Sequence, residues 1–369
     1  LVLLDSAHIQ EEEAARRARR AALKKKKENP IGPLYTTLEA LDSCEQFGRA
    51  AEYAKPIDLT PGVRATFLDA GHILGSANVL LELEQGGRHR SVLFSGDLGS
   101  AGRPILRDPT PPPEVDVVVM ETTYGDRLHR PLGPSVDELY EAVTDTFARG
   151  GNVIIPTFAL ERAQELLFYL REGVECGQLP SPTPVYLDSP MAISATEIFQ
   201  RHSECYDAET SELFRNGKDP FHVPGLRFTR QASESIGLNN ITGGAIIMAG
   251  SGMCTGGRVR HHLRHHIGRA ESSVIFIGFA AQGTLARDII DGAKTISIYG
   301  EKIPVRARIH TVGGFSAHAD QAELLSWHEQ AAPQTTFLVH GEAGVMAHFA
   351  DHLKDTHVEM PNLHDEFEL

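Results

Sequence analysis

Cysteine and long apolar runs are scarce in this sequence. Its 369 residues include four scattered cysteines, with no CxxC pair among Cys44, Cys176, Cys205 and Cys254. This pattern excludes a disulfide framework and is typical of reduced thiols, so we expect a cytoplasmic protein. No apolar run approaches the roughly 20 residues that a membrane-spanning helix needs, and we expect no membrane partner.

A surplus of basic residues is also absent. Lysine and arginine total 35 against 49 acidic residues, which gives a formal net charge of −14. This charge balance excludes a surface covered with basic residues that would bind any nucleic acid, but it is compatible with a local basic groove. The chain length suits two domains, each with its own core.

Short β-type runs follow the amino-terminal region. We predict strands at Val63–Asp69, Asn78–Leu83, Ser91–Phe94 and Val115–Met120. Leu1–Leu4 reads as a further strand. A polar helix with Glu–Arg pairs at i,i+4 is predicted over residues 8–28.

The pattern then alternates between strands and helices. Strands are predicted at Asn152–Pro156, Pro184–Leu187, Ala245–Ala249 and Ser273–Ile277, each followed by a helical segment. Such alternation indicates βαβ units on a parallel sheet. The β-rich pattern returns near residues 312–369, so the sequence predicts an α/β portion between two β-rich parts.

Polar side chains follow the ends of several apolar strands. His72 comes after "TFLDAG", Asp97 after "VLFSG", Glu121 after "VVVM" and His340 after "TFLV". In layered α/β folds, neighbouring strands deliver such side chains to one edge of the sheet. Imidazole and carboxylate groups are ligands of zinc and similar ions. With His318 in its own turn, the ordered series predicts a metal site.

Seven segments carry a resemblance to one family. "DAGHILGSA", "FSGDLG", "METTYGDR", "SGMCTGGRVRHHL", "GFAAQGTLAR", "GFSAHAD" and "LVHGE" resemble successive motifs of the β-CASP nucleases. The overall form is closest to the compact prokaryotic RNA-processing members, related to the cleavage-and-polyadenylation endonuclease. The resemblance implies a metallo-β-lactamase αβ/βα sandwich interrupted by a Rossmann-like β-CASP domain. We expect domain parts at residues 1–125, 126–311 and 312–369, the middle one being the insertion.

The resemblance also implies roles for the strand-end residues. His72, Asp97 and His340 would belong to a two-zinc site, with Asp97 bridging the ions. Glu121 and His318 would protonate the departing ribose oxygen, Glu121 by orienting the imidazole. The implied activity is zinc-dependent hydrolysis of RNA, as an endonuclease or a 5′ exonuclease.

RNA contacts are predicted mainly at two strand-to-helix turns, because free amides at helix starts favour phosphates. The candidate residues are Thr157, Phe158, Arg162, Ser251, Gly256, Gly257, Arg258, His262 and Ser316. Phe158 is read either as a base-stacking residue or as a core residue. His265 and His266 are expected on the surface.

One family motif, HxHxDH, is missing from the sequence. The family places this motif before a segment like "SAHIQEEEA", which lies here at the start, so we expect truncation. The parent protein would be a two-zinc nuclease, and this chain an inactive or weakly active fragment with an incomplete zinc site. Its β-lactamase-like sheet would have an unpaired edge that is prone to association.

Three other functions compete with this hypothesis. A non-catalytic RNA-binding pseudoenzyme would not need Glu121, His318 and His340 in catalytic contexts. A small-molecule metallo-hydrolase does not explain an insertion of domain size. A DNA nuclease of the same family stays open, because contacts to the 2′-hydroxyl cannot be read from the sequence. We expect single-stranded RNA as partner and possible homodimer formation.

Overall fold

A computed structural model describes residues 2–23, 32–278 and 280–368. Two units divide the chain, Leu1–Glu52 and Tyr53–Leu369. Leu1, the end of the predicted polar helix at residues 24–28, and Phe279 of "GFAAQ" lie outside the described residues. Within the described ranges, every helix is too short or too polar to cross a bilayer.

The first unit contains two helices, α1 (Val2–Leu23) and α2 (Thr37–Cys44). The strand predicted at Leu1–Leu4 is therefore wrong for its described residues. A four-residue apolar run fits either structure, and the helix formers that follow it extend α1 backwards. The polar helix is confirmed as far as Leu23, and Arg17 pairs with Glu13 at 2.8 Å.

The second unit contains the remaining elements in chain order. They are β1 (Ile57–Thr60), β2 (Val63–Asp69), β3 (Ala77–Gln85), β4 (Arg88–Phe94), β5 (Val117–Glu121), α3 (Leu132–Ala148), β6 (Val153–Pro156), α4 (Arg162–Glu175), β7 (Val185–Leu187), α5 (Pro190–Arg201), α6 (Ala208–Arg215), β8 (Leu226–Phe228), α7 (Ala232–Gly237), β9 (Ile246–Ala249), α8 (Val259–His266), β10 (Ser273–Ile277), α9 (Leu285–Ile290), β11 (Thr295–Ile298), β12 (Glu301–Pro304), β13 (Arg308–Val312), α10 (Gln321–Ala331), β14 (Thr335–Val339), α11 (Ala343–Ala350) and β15 (His357–Glu359). Three short 3₁₀ turns lie between them, Ser203–Cys205, Leu238–Asn240 and Gly313–Phe315.

A mixed sheet has the strand order β1-β2-β3-β4-β5-β14-β15. Its four predicted strands are confirmed to within two residues at most ends. Alternate residues such as Leu93, Val118 and Leu338 point to one face, where they pack against Leu324 and Trp327 of α10. Helices α10 and α11 of the carboxyl-terminal part thus cover one face of the sheet.

A second sheet has the order β13-β10-β6-β9-β7-β8, and all of its strand pairs are parallel. Residues alternate between two apolar clusters, for example Ile155 and Ile275 on one face and Ile154 and Val274 on the other. Helices α3, α4 and α5 cover the first face, and α8 and α9 cover the second. The predicted doubly wound α/β portion is confirmed.

Five of the described strands of the mixed sheet run in one direction, since β15 is also parallel to β14. Strand β4 runs parallel to β5, and β5 runs parallel to β14, with Val339 beside Glu121. Because β3 is antiparallel to both β2 and β4, β2 shares their direction. The residues after β2, β4, β5 and β14 therefore meet at one rim.

Candidate active site

The turn that carries His72 is shaped by glycine and serine. Gly71 has φ +62°, and a Cβ there would lie 2.9 Å from the carbonyl oxygen of Arg107. The hydroxyl of Ser76 accepts the backbone N–H groups of His72 at 3.0 Å and Ile73 at 3.2 Å. These contacts turn the chain sharply after β2 and hold the His72 imidazole over the rim.

The Asp97 turn packs directly against the His72 turn. A Cβ on Gly99 would lie 2.0 Å from the carbonyl oxygen of Gly71, so only glycine allows this approach. Asp97 consequently lies between two imidazoles. One of its oxygens is 3.7 Å from Nε2 of His72, and the other is 3.3 Å from Nδ1 of His340.

His340 follows β14 in a left-handed conformation, with φ +50°. Its Nδ1 also lies 3.3 Å from the hydroxyl of Thr123, which follows the neighbouring strand. The side chain keeps 59% of its surface exposed, whereas that of His72 keeps 11%. The rim thus has one buried and one open imidazole on either side of Asp97.

Glu121 and His318 form a hydrogen-bonded pair beneath the rim. Nδ1 of His318 lies 3.0 Å from both carboxylate oxygens of Glu121. Glu121 also accepts the backbone N–H of Leu98 at 2.6 Å. Burial acts to raise the pKa of Glu121, but the hydrogen bonds from His318, Thr123 and Leu98 outweigh it and lower this pKa below its usual value. The buried carboxylate is ionised and orients the imidazole.

Two groups of possible metal ligands share Asp97. One is His72, Asp97 and His318, and the other is Asp97, Glu121 and His340; within each group the ligand atoms lie within 4.8 Å of one another. Burial, reinforced by His318, lowers the pKa of His72 well below its usual range, which keeps its ring neutral. Imidazoles around a carboxylate are a donor set that suits zinc, so the residues fit a divalent metal.

The two predicted RNA-binding turns lie at the ends of β6 and β9, neighbours in the parallel sheet. Phe158 keeps 43% of its surface exposed, so its interpretation as a core residue is wrong. Ser251 is half-buried, and its hydroxyl lies 3.4 Å from the amide nitrogen of Gly256. Gly257 has φ +72° and packs on the carbonyl of Gly250. This loop presents backbone amides before α8.

Four other candidates are buried or occupied. Thr157 is 1% exposed and Ser316 is 3% exposed. Arg162 is buried and pairs with Glu165, and Arg258 donates to Asp188 at 2.7 Å.

Two histidines of α8 are fully enclosed. His262 is 0% exposed, and its Nε2 lies 2.6 Å from Asp188. Arg162, Arg258 and His262 thus each have a carboxylate partner among the described residues. His266 is 1% exposed, so its predicted surface position is wrong, whereas His265 is exposed as expected. The helix buries its fourth and eighth residues, His262 and His266, together because i and i+4 share one face.

The sequence reasoning missed Asp188 and Glu161. Asp188 directly follows β7, so the rule that found Asp97 and Glu121 could have found it. Asp188 is fully buried and accepts four side-chain donors, from Thr229, Ser235, Arg258 and His262. Glu161 is buried at the start of α4 with φ +60°, and nothing in "FALERAQ" signals that conformation.

Comparison with known proteins agrees with this architecture. Residues 163–289 match the Beta-Casp domain, and residues 302–361 match the Zn-dependent metallo-hydrolase RNA specificity domain. The second description implies a divalent metal for that family.

Several curated proteins are similar to the chain. Ribonuclease TTHA0252 of Thermus thermophilus is 41% identical over 294 residues, which are 80% of this chain and 66% of the relative. An RNase J-like protein of Methanocaldococcus jannaschii is 32% identical, over 79% of this chain and 66% of the relative. Transcription termination factor FttA of the same organism is 31% identical, over 88% of this chain and 53% of the relative.

The chain spans between about half and two thirds of the length of these relatives, from 53% to 66%. Residues 163–289 contain α4 to α9 of the parallel sheet, and residues 302–361 contain the return to the mixed sheet. By its sequence and its fold, the chain belongs to the β-CASP family of metallo-β-lactamase-fold proteins.

Proposed function

We propose that this chain contains the catalytic residues of a metal-dependent ribonuclease acting on single-stranded RNA. The observation that supports this most is the convergence of His72, Asp97 and His340 beside the Glu121–His318 pair. Metal ligands and an acid–carboxylate pair at one rim suit hydrolysis of a phosphodiester bond. The name of the 41% identical relative supports the same activity.

We propose zinc as the metal, with two ions in the complete site. His72 would hold one ion, His340 the other, and Asp97 would contact both. Zinc ions in such a site neutralise negative charge that develops on the phosphate during cleavage. The donor chemistry supports zinc, because imidazole and carboxylate together favour it over the oxygen-only ligand sets of magnesium and calcium.

Glu121 and His318 would handle the proton of the leaving group. A buried carboxylate on Nδ1 stabilises the protonated imidazole and fixes its direction. His318 can then release a proton from its other ring nitrogen to the departing ribose oxygen. Glu121 acts through His318 and is a positioning residue in this scheme.

The parallel sheet would hold the RNA. We propose residues 126–311 as the inserted domain, between the parts at 1–125 and 312–369. Ser251, Gly256 and Gly257 would bind backbone phosphates, with Phe158 stacking on a base. The candidates that are buried or already paired, Thr157, Arg162, Arg258, His262 and Ser316, would keep these turns in place.

Two further properties stay predictions. A cytoplasmic location is supported by four cysteines that form no disulfide among the described residues. Homodimer formation rests on the family resemblance alone.

The test is a single-turnover assay with protein in excess over a labelled single-stranded RNA. A DNA strand of the same sequence runs beside it, each with added Zn²⁺ or with EDTA. We expect slow RNA cleavage with Zn²⁺ and none with EDTA, and loss of cleavage in His318→Ala. His265→Ala, on an exposed ring, is the matched control and should keep the wild-type rate.

Each other outcome has a distinct meaning. Binding of RNA without cleavage by any form would contradict the slow cleavage expected here, and it would agree both with an inactive fragment and with the non-catalytic alternative. Preferential cleavage of the DNA strand would favour the DNA nuclease. Cleavage that persists in EDTA, or equally in His318→Ala, would overturn the mechanism.

A further inference from the structure

The chain passes twice between the mixed sheet and the parallel sheet, and the two passages lie side by side. The outgoing segment, residues 122–131, leads from β5 to α3, and the returning segment, residues 313–320, leads from β13 to α10. Directly after the returning segment, Gln321 donates its backbone N–H to the carbonyl of Arg127 at 3.1 Å. Because the returning segment carries His318, the outgoing segment is placed to fix the position of that residue.

One side chain of the outgoing segment contacts the backbone of His318 itself. Nε2 of His129 lies 2.8 Å from the carbonyl oxygen of His318, and the backbone N–H of His129 donates to Asp320 at 3.0 Å. A carbonyl oxygen only accepts, so this geometry requires the ring hydrogen of His129 on Nε2. His129 thus donates from its ring and from its backbone to two residues of the returning segment.

The His129 ring is also held by a neighbour on its own segment. It is half-buried and meets the ring of Tyr124 edge-on, with 4.5 Å between the ring centroids. Burial lowers the pKa of His129, although the hydrogen bond to His318 acts against this. The ring is therefore neutral near pH 7, and a neutral imidazole has one N–H, which the carbonyl of His318 accepts.

The three carbonyl groups of residues 316–318 each accept a hydrogen bond. The first accepts from the side chain of Arg103, the second from the backbone N–H of Ser100 at 3.0 Å, and the third from His129. Arg103 and Ser100 belong to the loop after β4, whereas His129 belongs to the loop after β5. Two loops of the mixed sheet therefore fix the main chain that leads to the His318 imidazole.

The ring of His318 is held separately, by Glu121. Nδ1 of His318 lies 3.0 Å from both carboxylate oxygens of Glu121. A ring that is held at one nitrogen alone can swing about that contact, whereas a ring whose main chain is also fixed keeps one direction. The proposed mechanism needs that direction, because the second ring nitrogen must meet the departing ribose oxygen.

We propose that His129 is a positioning residue for cleavage, which fixes the main chain of His318 so that the imidazole faces both Glu121 and the leaving group. The inference rests on the proposed function. His129 acts through His318 and supplies no proton, since its ring N–H stays on the carbonyl oxygen. Displacement of a reacting group by about 1 Å can cost roughly 100-fold in rate. Loss of this hydrogen bond should therefore slow the chemical step and leave RNA binding unchanged.

The test is single-turnover cleavage of a labelled single-stranded RNA with Zn²⁺, over a range of protein concentrations. Each series gives a maximal rate and a half-saturating concentration. His129→Phe keeps a ring against Tyr124 but has no donor, so its maximal rate should fall roughly tenfold or more at an unchanged half-saturating concentration. His129→Gln supplies an amide N–H and should recover most of the rate. Leu128→Ala, at the exposed neighbouring position, is the control and should match wild type.

Hydrogen exchange, measured by mass spectrometry on the same proteins, follows the geometry without any cleavage. The backbone N–H of Ala319 donates to the carbonyl of Leu98 at 2.8 Å and reports on the returning segment. It should exchange about fivefold faster in His129→Phe than in wild type, in keeping with the loss of one hydrogen bond, and His129→Gln should stay near wild type. Equal exchange in β10 should show that the fold is retained.

Each contrary result has its own meaning. If His129→Phe keeps the wild-type maximal rate, if it changes the half-saturating concentration alone, or if His129→Gln is equally slow, the inference is wrong and the proposed function stands. If wild type cleaves no RNA, the proposed cleavage by this chain fails, and the exchange measurement decides separately whether His129 fixes the segment. Equal exchange of Ala319 in wild type and His129→Phe would overturn that claim.

Discussion

Asp97 and Asp188 both follow a strand of the Tyr53–Leu369 unit, but their surroundings differ. Asp97, on the mixed sheet, is 40% exposed and has imidazoles 3.3 and 3.7 Å away. Asp188, on the parallel sheet, is fully buried and accepts from four side chains. Both acids look alike in the sequence, each standing just after an apolar run.

The difference separates two uses of an acid at a strand end. A carboxylate that has all its donors inside the protein has no capacity left for a ligand, so it stabilises the fold. A carboxylate that lies exposed between imidazoles can still bind a ligand, and it contributes less to the stability of the fold. Variants of the two acids should therefore fail in different ways.

The largest effect is expected from Asp188→Ala. It leaves the partly buried Arg258 and the fully buried His262 without this acceptor, and loss of one partner of a buried charge pair costs about 3–5 kcal/mol. Urea unfolding should show a fall of that size in the free energy of unfolding. Glu141→Ala, on the exposed side of α3, is the control and should change little. If Asp188→Ala lowered the free energy of unfolding by less than about 1 kcal/mol, the four hydrogen bonds to Asp188 would not be needed for stability.

A smaller effect should come from two buried histidines, one behind each sheet. Burial lowers the pKa of His328 and of His266 to about 4, the latter with help from His262. Below pH 6.5 each of these histidines is protonated in the unfolded chain but stays neutral in the folded chain. The free energy of unfolding therefore falls from pH 6.5 towards pH 4. Each group contributes up to about 3 kcal/mol of this loss.

Measurement of unfolding free energy across that pH range checks this. His266→Leu and His328→Gln should each flatten the slope. Asp188 affects stability in a different pH range. Burial acts to raise its pKa, but its four hydrogen-bond donors lower this pKa to about 2. Its contribution to the free energy of unfolding is therefore lost only below the usual carboxyl value of 3.8. An unchanged slope in both histidine variants would contradict the assignment.

Much of the fold could be predicted from the sequence, because alternation of apolar residues and the strand–helix rhythm act locally. Val63–Asp69 is a run of β-type residues between turn glycines at 62 and 71, and the prediction matches its bounds. The strand predicted at Leu1–Leu4 was wrong because a run of four residues is too short to show a periodicity. The surface position predicted for His266 was wrong because its burial depends on what α8 packs against, and the local sequence does not contain that information.

The residues of the candidate site also divide into those that the local sequence predicts and those that depend on tertiary packing. His72, Asp97 and His340 were found because each ends a strand, and strand direction alone brings them together. Glu161 was missed because its backbone φ of +60° and a carboxyl oxygen that has no partner among the described residues arise only from tertiary packing.

Glu161→Gly is expected to stabilise the protein. The substitution removes a left-handed backbone conformation from a residue with a side chain, which is worth about 1–3 kcal/mol. It also removes a buried oxygen without a partner in the described residues. Thermal unfolding should shift upward, while Glu161→Gln, which keeps the strained turn, should not shift it. A lower stability of Glu161→Gly would show that the carboxyl group has a structural partner.

The smallest change in stability is expected from Asp97→Asn. Because this side chain is open and its ion pairs are long, the free energy of unfolding in EDTA should change by less than about 0.5 kcal/mol. The same variant should lose the stabilisation that added Zn²⁺ gives to wild type, since binding to the folded state raises stability by mass action. Unfolding with and without Zn²⁺ measures both quantities in one experiment. If Asp97→Asn were as damaging in EDTA as Asp188→Ala, the two acids would share a structural role. The retained stability with lost zinc response is what distinguishes a ligand from a structural carboxylate.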